Sequence, residues 1–319
     1  MRIILLLLLA LPQLVRATPA LDPWQVIEKA SAAARELNYQ GIFVYQAGNN
    51  MTSVQITHTN MAAVGEFSRV IVLDGAPKEV LRQGNEVLIY QPKSERVLIE
   101  KRRIHNSFPA LLPKISDVLK ANYQLDEGGT ERVVGREAYL LTLTPHDKLR
   151  YASKFWVDTD TGLLLKVALL NEKNEVVEQI SFTQLKLVGN ASMDWFRPTE
   201  ERNKRYYVKP EEVVTPSAQP DGWVIGQLPQ GFRKTEQVRR QVPGKAAPVT
   251  HVVFCDGLAT VSLFIEPLDK RVPFKQGSMS QGATNLYATT VAEHQIVVLG
   301  EVPQATVMQI ANSVSYKSR

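Results

Sequence analysis

An α+β fold in two successive units is what this sequence predicts, and three observations predict it. The chain has 319 residues, about twice the length of a common single domain. Apolar and polar residues alternate through most of it, which is the period of a half-buried strand. Turn signals between those runs fall so close together that only antiparallel hairpins fit, since a parallel crossover needs about a dozen residues. Helical spacing interrupts at three places.

The N-terminal segment stands apart. Met1-Arg2 is basic, Ile3 to Leu14 is apolar, and Val15-Arg16-Ala17 matches the small-x-small rule. A secretory signal peptide over 1–17, cut after Ala17, is expected. Pro12 and Gln13 interrupt the apolar run, which falls well short of the roughly 20 residues a membrane span needs. No Cys follows to carry a lipoprotein anchor, so the mature product should be soluble and exported.

Residues 22–38 then read as a helix. Asp22 can cap it, Pro23 suits its first turn, Gln25 can complete a capping box and Asn38 ends it. Trp24, Ile27, Ala30, Ala34 and Leu37 share one face. Strands follow at Ile42 to Tyr45, Ser53 to Thr57, Phe67 to Leu73, Lys78 to Arg82 and Glu86 to Tyr90, with Gly48-Asn49-Asn50, Asp74-Gly75-Ala76-Pro77 and Gly84-Asn85 as turns between them. A second helical stretch is expected over about 107–122, with Ser107 as its cap. Strands resume at Arg132 to Val134, Ala138 to Thr144, Ser153 to Asp158, Leu163 to Asn171 and Val176 to Leu187. Together these make one meandering sheet in a unit spanning 18–192.

Residues 193–221 read as a linker, carrying Pro198, Pro210, Pro216 and Pro220 among mixed charges. The unit at 222–319 is smaller. Its strands are Phe232 to Val242, His251 to Cys255, Ala259 to Glu266, Asn285 to Val291 and Gln295 to Gly300, and Pro303 opens a closing amphipathic helix.

Charge excludes one class of partner. There are 37 Lys+Arg against 32 Asp+Glu, a net of +5, and losing Arg2 and Arg16 with the leader lowers it to +3. That is too weak for nucleic acid. Lys93 to Arg103 is locally basic, as a solvated strand end or as a contact for an anionic partner or lipid headgroup.

Catalytic constellations are missing from the sequence. Asp160-Thr161-Gly162 has no second copy to share a proton in aspartic-protease fashion, and its setting reads as a hairpin turn. His58, His105, His146, His251 and His294 are scattered, with no His-Glu-x-x-His helix, so they read as solvated or core histidines. No Gly-x-Ser-x-Gly elbow, Ser-x-x-Lys or phosphate-cradling loop occurs. Cys255 follows Val252-Val253-Phe254 and precedes Asp256, the setting of a buried structural thiol. No metal, cofactor or catalytic residue is expected.

The first sheet is instead rich in large apolar groups, among them Phe43, Tyr45, Tyr90, Phe155, Trp156, Leu165 and Phe182. Core packing under the helices and a concave face open to an apolar ligand both fit this pattern. Periodicity does not separate them.

Several ordered segments carry a resemblance. They are Asn38-Tyr39-Gln40-Gly41-Ile42-Phe43-Val44-Tyr45, Leu73 to Val80 running on through Arg82 to Val87, Trp156-Val157-Asp158, and Gly162 to Lys166. The second unit adds Leu228-Pro229-Gln230-Gly231-Phe232, Asp256 to Ser262 and Val298 to Pro303. In this order, over nearly the whole mature chain, they resemble the RseB/MucB family of periplasmic regulators of the envelope-stress sigma factor, sigma-E or AlgU.

The resemblance implies a curved, unclosed antiparallel β-barrel with helices, similar to LolA and LppX, followed by the smaller α+β domain. It implies no enzyme activity. The implied role is to bind the periplasmic domain of a membrane-spanning anti-sigma factor of the RseA/MucA type and shield it from the site-1 protease. Lipopolysaccharide or lipoprotein acyl groups would relieve that block; a homo-oligomer is compatible with the family. With that implication, Phe43, Tyr45, Tyr90, Trp156 and Leu165 become the candidate lipid-cavity residues. Trp223 and Phe232, at the start of the second unit, become candidates for the partner face, with core packing the alternative for Phe232. A lipid or lipoprotein carrier using only the first unit is the rival reading.

Overall fold

The computed structural model describes residues 22–317 apart from 62–64, 85, 92–95, 102–106, 113–114, 190–191, 197–204, 209–214, 217–221, 241–246 and 270–273. The signal peptide, most of the linker and the ends of the Lys93 to Arg103 run lie outside the described residues.

Helix α1 (Pro23–Glu36) begins where Asp22 Oδ1 accepts a hydrogen bond from Trp24 N at 3.0 Å, pairing an N–H that the helix cannot pair itself. Its buried face is Val26, Ile27, Ala30, Ala33 and Ala34. Small alanines let it lie close on the sheet.

That sheet has twelve strands. In chain order they are β1 (Tyr39–Ala47), β2 (Asn50–Met61), β3 (Gly65–Val72), β4 (Lys78–Gln83), β5 (Glu86–Gln91), β6 (Arg96–Lys101), β7 (Tyr123–Val133), β8 (Arg136–Pro145), β9 (Ala152–Asp158), β10 (Leu164–Leu170), β11 (Val176–Leu187) and β12 (Arg205–Val208). Spatially they run β12-β6-β5-β4-β3-β2-β1-β11-β10-β9-β8-β7. All neighbours are antiparallel except β12 on β6. The two ends do not meet, so the sheet is an unclosed meander. Its core packs α1 against Tyr39, Phe43, Leu141, Phe155, Leu164 and Phe182, among others.

Three sequence expectations need correction, two in this unit and one in the second. Among the described residues, the helix expected over 107–122 is confined to α2 (Asp117–Asn122), and its cap is Ser116, whose Oγ accepts from Leu119 N at 3.2 Å, not Ser107. Pro109 and Pro113 explain this, because a proline removes a helical donor and pushes the preceding residue out of the helical region. Strand β7 reaches back to Tyr123, although only Arg132 onward was expected. Its Asp126-Glu127-Gly128-Gly129 has poor strand propensity, but as an edge strand it needs only the β8 ladder. Finally, Cys255 is half-buried, not enclosed.

The second unit is a seven-stranded sheet in the order β13-β15-β16-β17-β20-β19-β18, its edge strand β13 coming from the stretch expected as linker. These strands are β13 (Thr215–Pro216), β15 (Arg233–Arg240), β16 (Val249–Cys255), β17 (Thr260–Pro267), β18 (Gly277–Gln281), β19 (Thr284–Val291) and β20 (His294–Gly300). Helix α3 (Gln304–Asn312) follows Pro303 and buries Thr306, Val307, Ile310 and Ala311. A small ladder joins β14 (Trp223–Ile225) to β21 (Val314–Tyr316), tying the two ends of this unit together. Its core is separate and includes Val252, Phe254, Leu263, Ile296, Val298 and Ile310.

Candidate functional site

A cavity of about 970 Å³ lies where the concave face of the first sheet meets the second unit. The pleat of the sheet builds its wall. Successive strand residues point to opposite faces, so Phe43 and Tyr45 of β1, Val70 and Val72 of β3, and Val167 and Leu169 of β10 all line it. Phe108, Leu111 and Leu112, from the segment before α2, form another side, and Phe108 packs edge-on to Phe43 at 5.0 Å. The second unit closes it with Leu258, Ala259, Thr260, Leu299 and Glu301.

The five sequence candidates divide accordingly. Phe43 and Tyr45 reach this cavity. Trp156 does not. Its neighbour Phe155 takes the inward position, while Trp156 Nε1 donates to Glu131 Oε2 at 2.7 Å and Lys166 lies over its ring at 4.4 Å. Leu165 is enclosed in the core, beside a register shift between β9 and β10. Tyr90 belongs to a distinct cluster with Phe67, Leu81 and Phe196.

One end of the cavity is acidic. Glu178 of β11 is buried, and its Oε2 accepts from Ala283 N of the second unit at 3.3 Å. Burial pushes its pKa up, against hydrogen bonds from Ala283 and Tyr45. Glu301 is exposed at this end, yet the atoms crowded around its carboxyl, and then the Glu178 charge, raise its pKa too. Tyr45 is pushed up to about 12 by burial, with the Glu178 charge adding to the effect.

Beside the cavity the two units are joined by buried polar groups. Arg150, on the loop between β8 and β9, bonds the carboxylates of Asp256 and Asp147 and the carbonyl of Gln230. Its guanidinium sits 4.8 Å from the Phe232 ring. Burial opposes that charge, but the hydrogen bonds to Asp256 and Asp147 outweigh it and hold the Arg150 pKa above its usual value. Asp256 is fully buried. Its Oδ2 also accepts from Tyr123 Oη at 2.9 Å, and its Oδ1 accepts from Leu258 N and Ala259 N at 2.9 and 2.8 Å. Nearby, Thr306 Oγ1 donates to Leu149 O at 2.6 Å, and Asn285 Nδ2 donates to Tyr151 Oη at 2.9 Å.

Phe232 therefore faces the first unit rather than open surface. Trp223 is half-buried in a ring cluster with Tyr316 at 4.9 Å and His294 at 5.0 Å. Sequence reasoning missed Arg150, Asp256 and Glu178. A signal existed for two of these contacts, since Gln230-Gly231-Phe232 and Asp256 to Ala259 stood out as motifs and both converge on Arg150. Among the described residues, no group of three or more His, Cys, Asp or Glu could hold a metal ion, and no helix is long and apolar enough to cross a membrane.

Comparison with known proteins covers nearly the whole chain. Residues 22–200 match the MucB/RseB N-terminal domain, and residues 217–315 match the MucB/RseB C-terminal domain. The sigma factor AlgU regulatory protein MucB of Pseudomonas aeruginosa is 32% identical, over 97% of this chain and 96% of that protein. The sigma-E factor regulatory protein RseB of Escherichia coli K12 is 24% identical, over 94% of this chain and 92% of its own length. A crystal structure of MucB in complex with MucA(peri) overlays with a TM-score of 0.73 at 27% identity, covering 93% of this chain and all of that one. A crystal structure of MucB gives 0.64 at 26% identity, covering 92% and 98%.

Proposed function

The chain belongs to the MucB/RseB family, and from that premise we propose that it is a periplasmic negative regulator of the sigma-E type envelope stress response. It binds the periplasmic segment of a membrane-spanning anti-sigma factor and shields that segment from the site-1 protease. Acyl-bearing envelope components, lipopolysaccharide or lipoprotein, fill the cavity and relieve the block. The observation that carries this reading is the end-to-end likeness to MucB, whose structure with MucA(peri) overlays on 93% of this chain. Occlusion needs no catalytic group: an extended segment is cut only while free, and binding divides the free fraction by one plus concentration over Kd.

The units divide the work as 18–192 for lipid sensing, 193–221 as linker and 222–319 for anti-sigma-factor binding. Phe43 and Tyr45 serve the cavity, and Trp223 the partner face. Calorimetry with the mature chain and its cognate periplasmic segment tests the reading. Binding, together with slower cleavage by the site-1 protease, is expected. A folded chain that does not bind the segment overturns it. Residues 222–319 alone should keep measurable affinity; binding kept only by residues 18–205 would reverse the division of labour. One observation favours the carrier as a second reading, namely a mainly apolar cavity of about 970 Å³. Acyl chains that copurify with the protein, without any affinity for the segment, would select it.

A further inference from the structure

Tyr123 and the turn at 256–259 each have two faces. The Tyr123 ring lines the cavity, while its hydroxyl donates to Asp256 at 2.9 Å. Leu258 and Ala259 line the cavity, while their backbone N–H groups bond the same carboxylate at 2.9 and 2.8 Å. Asp256 is in turn held by Arg150, whose other donors hold Asp147 and Gln230. Asp256, Arg150 and Gln230 are not themselves part of the cavity wall. Oδ2 of Asp256 is thus committed at once to the cavity wall and to the joint between the units, while Oδ1 holds the 256–259 turn.

We propose that the Asp256 carboxylate and the Arg150 guanidinium form a coupling joint, through which whatever fills the cavity changes how the second unit is held on the first. The inference rests on the acyl-binding reading of the cavity. Charge-assisted hydrogen bonds are short and directional, and a buried charge that loses its partner is costly. Displacement of Tyr123 or the 256–259 turn by a ligand therefore cannot be absorbed locally; it passes to Arg150 and so to the 147–151 loop and Gln230. Packed interiors shift between discrete arrangements instead of deforming continuously. Coupling of this kind is reciprocal, so loosening the joint must also loosen the wall.

Amide exchange of the full mature chain, read by mass spectrometry, tests both directions. Without ligand, Arg150→Lys replaces a fork that spans three acceptors by a single ammonium. Exchange at Leu258 and Ala259 and over 108–112 should accelerate by about tenfold, as for the loss of one charge-assisted hydrogen bond, with β10 unchanged. Tyr123→Phe removes only one hydroxyl and serves as the milder variant should Arg150→Lys fail to fold. It should accelerate the same amides by a smaller factor. Faster exchange confined to 147–151 and 230–232 in the folded variant, with the wall as in wild type, overturns the proposal.

In the second arm the wild-type chain is loaded with monomyristoylglycerol, a neutral single-chain probe. Altered exchange at 147–151 and 230–232, beyond the wall that the probe touches, is the expected result. Protection of the wall alone overturns the coupling. A probe that protects nothing removes the acyl-binding reading, while the ligand-free arm still decides whether the joint controls the wall.

Discussion

Trp156 shows how a single position can mislead. Its size and its place on a strand suggest a ligand wall, but strand parity gives that role to Phe155. Trp156 instead donates to Glu131, lies under Lys166 and is 6% exposed. Trp156→Ala should therefore cost about 3–5 kcal/mol of stability, measured as a lowered urea midpoint, with apolar-probe affinity of the folded fraction little changed. Glu178 and Glu301 make a second residue-scale prediction. Both have pKa values raised above the ordinary 4.5 of a glutamate, so the protonated form is the one that suits the fold. The stability this contributes is present below about pH 4.5 and is lost as pH rises through the raised values. Glu301→Gln removes the charge facing Glu178. Its urea midpoint should accordingly fall less than that of wild type between pH 4.5 and neutrality, because the raised titration of Glu301 itself is gone. An unchanged difference between the two pH values would mean that the Glu301 carboxyl is not raised in the folded chain.

At the scale of elements, legibility follows how local the cause is. Helix α1 and strands β1 to β5 could be read because capping, period two and close-set turns act within a few residues. Strand β7 could not, since nothing in Asp126-Glu127-Gly128-Gly129 asks for a strand and only its ladder with β8 makes one. The same acidic residues, with a register shift between Glu127 and Thr130, suit an edge, where charge and irregularity discourage pairing with other chains. The β14–β21 ladder and the cavity lining of the second unit join residues far apart in sequence, and no periodicity encodes such a pairing. Short α2 matters more than its six residues suggest. A Cβ on Gly231, at φ +83, would lie 2.2 Å from Asn122 Nδ2 at its C-terminal end. Gly231→Ala should cost about 1–3 kcal/mol for the backbone conformation and more for the contact. A reduced melting temperature is the readout, and restoring room with Asn122→Ala in the same chain should recover part of it.

For the whole molecule, the buried joint decides how the units behave on heating. Two sheets with separate cores would ordinarily melt separately. Here Arg150 and Asp256 lie between them with little or no contact with water, and separating the units would break the charge-assisted hydrogen bonds that join them. One calorimetric transition is expected for the wild-type chain. Arg150→Met should split it, with one unit melting first, and the loss should be about 3–5 kcal/mol, as for one partner removed from a buried pair. Two resolved transitions in the wild type would show that the joint contributes little.

Because one wall of the cavity belongs to the second unit, its capacity depends on how far apart two bodies stand rather than on a mould cast within one. A pocket inside a single core has a fixed length and rejects an acyl tail that is one step too long. A space bounded by two bodies behaves more like a vice, whose gap follows the workpiece. Affinity measured along a ladder of saturated monoacylglycerols should then rise and fall gradually, without a sharp cut-off at one tail length.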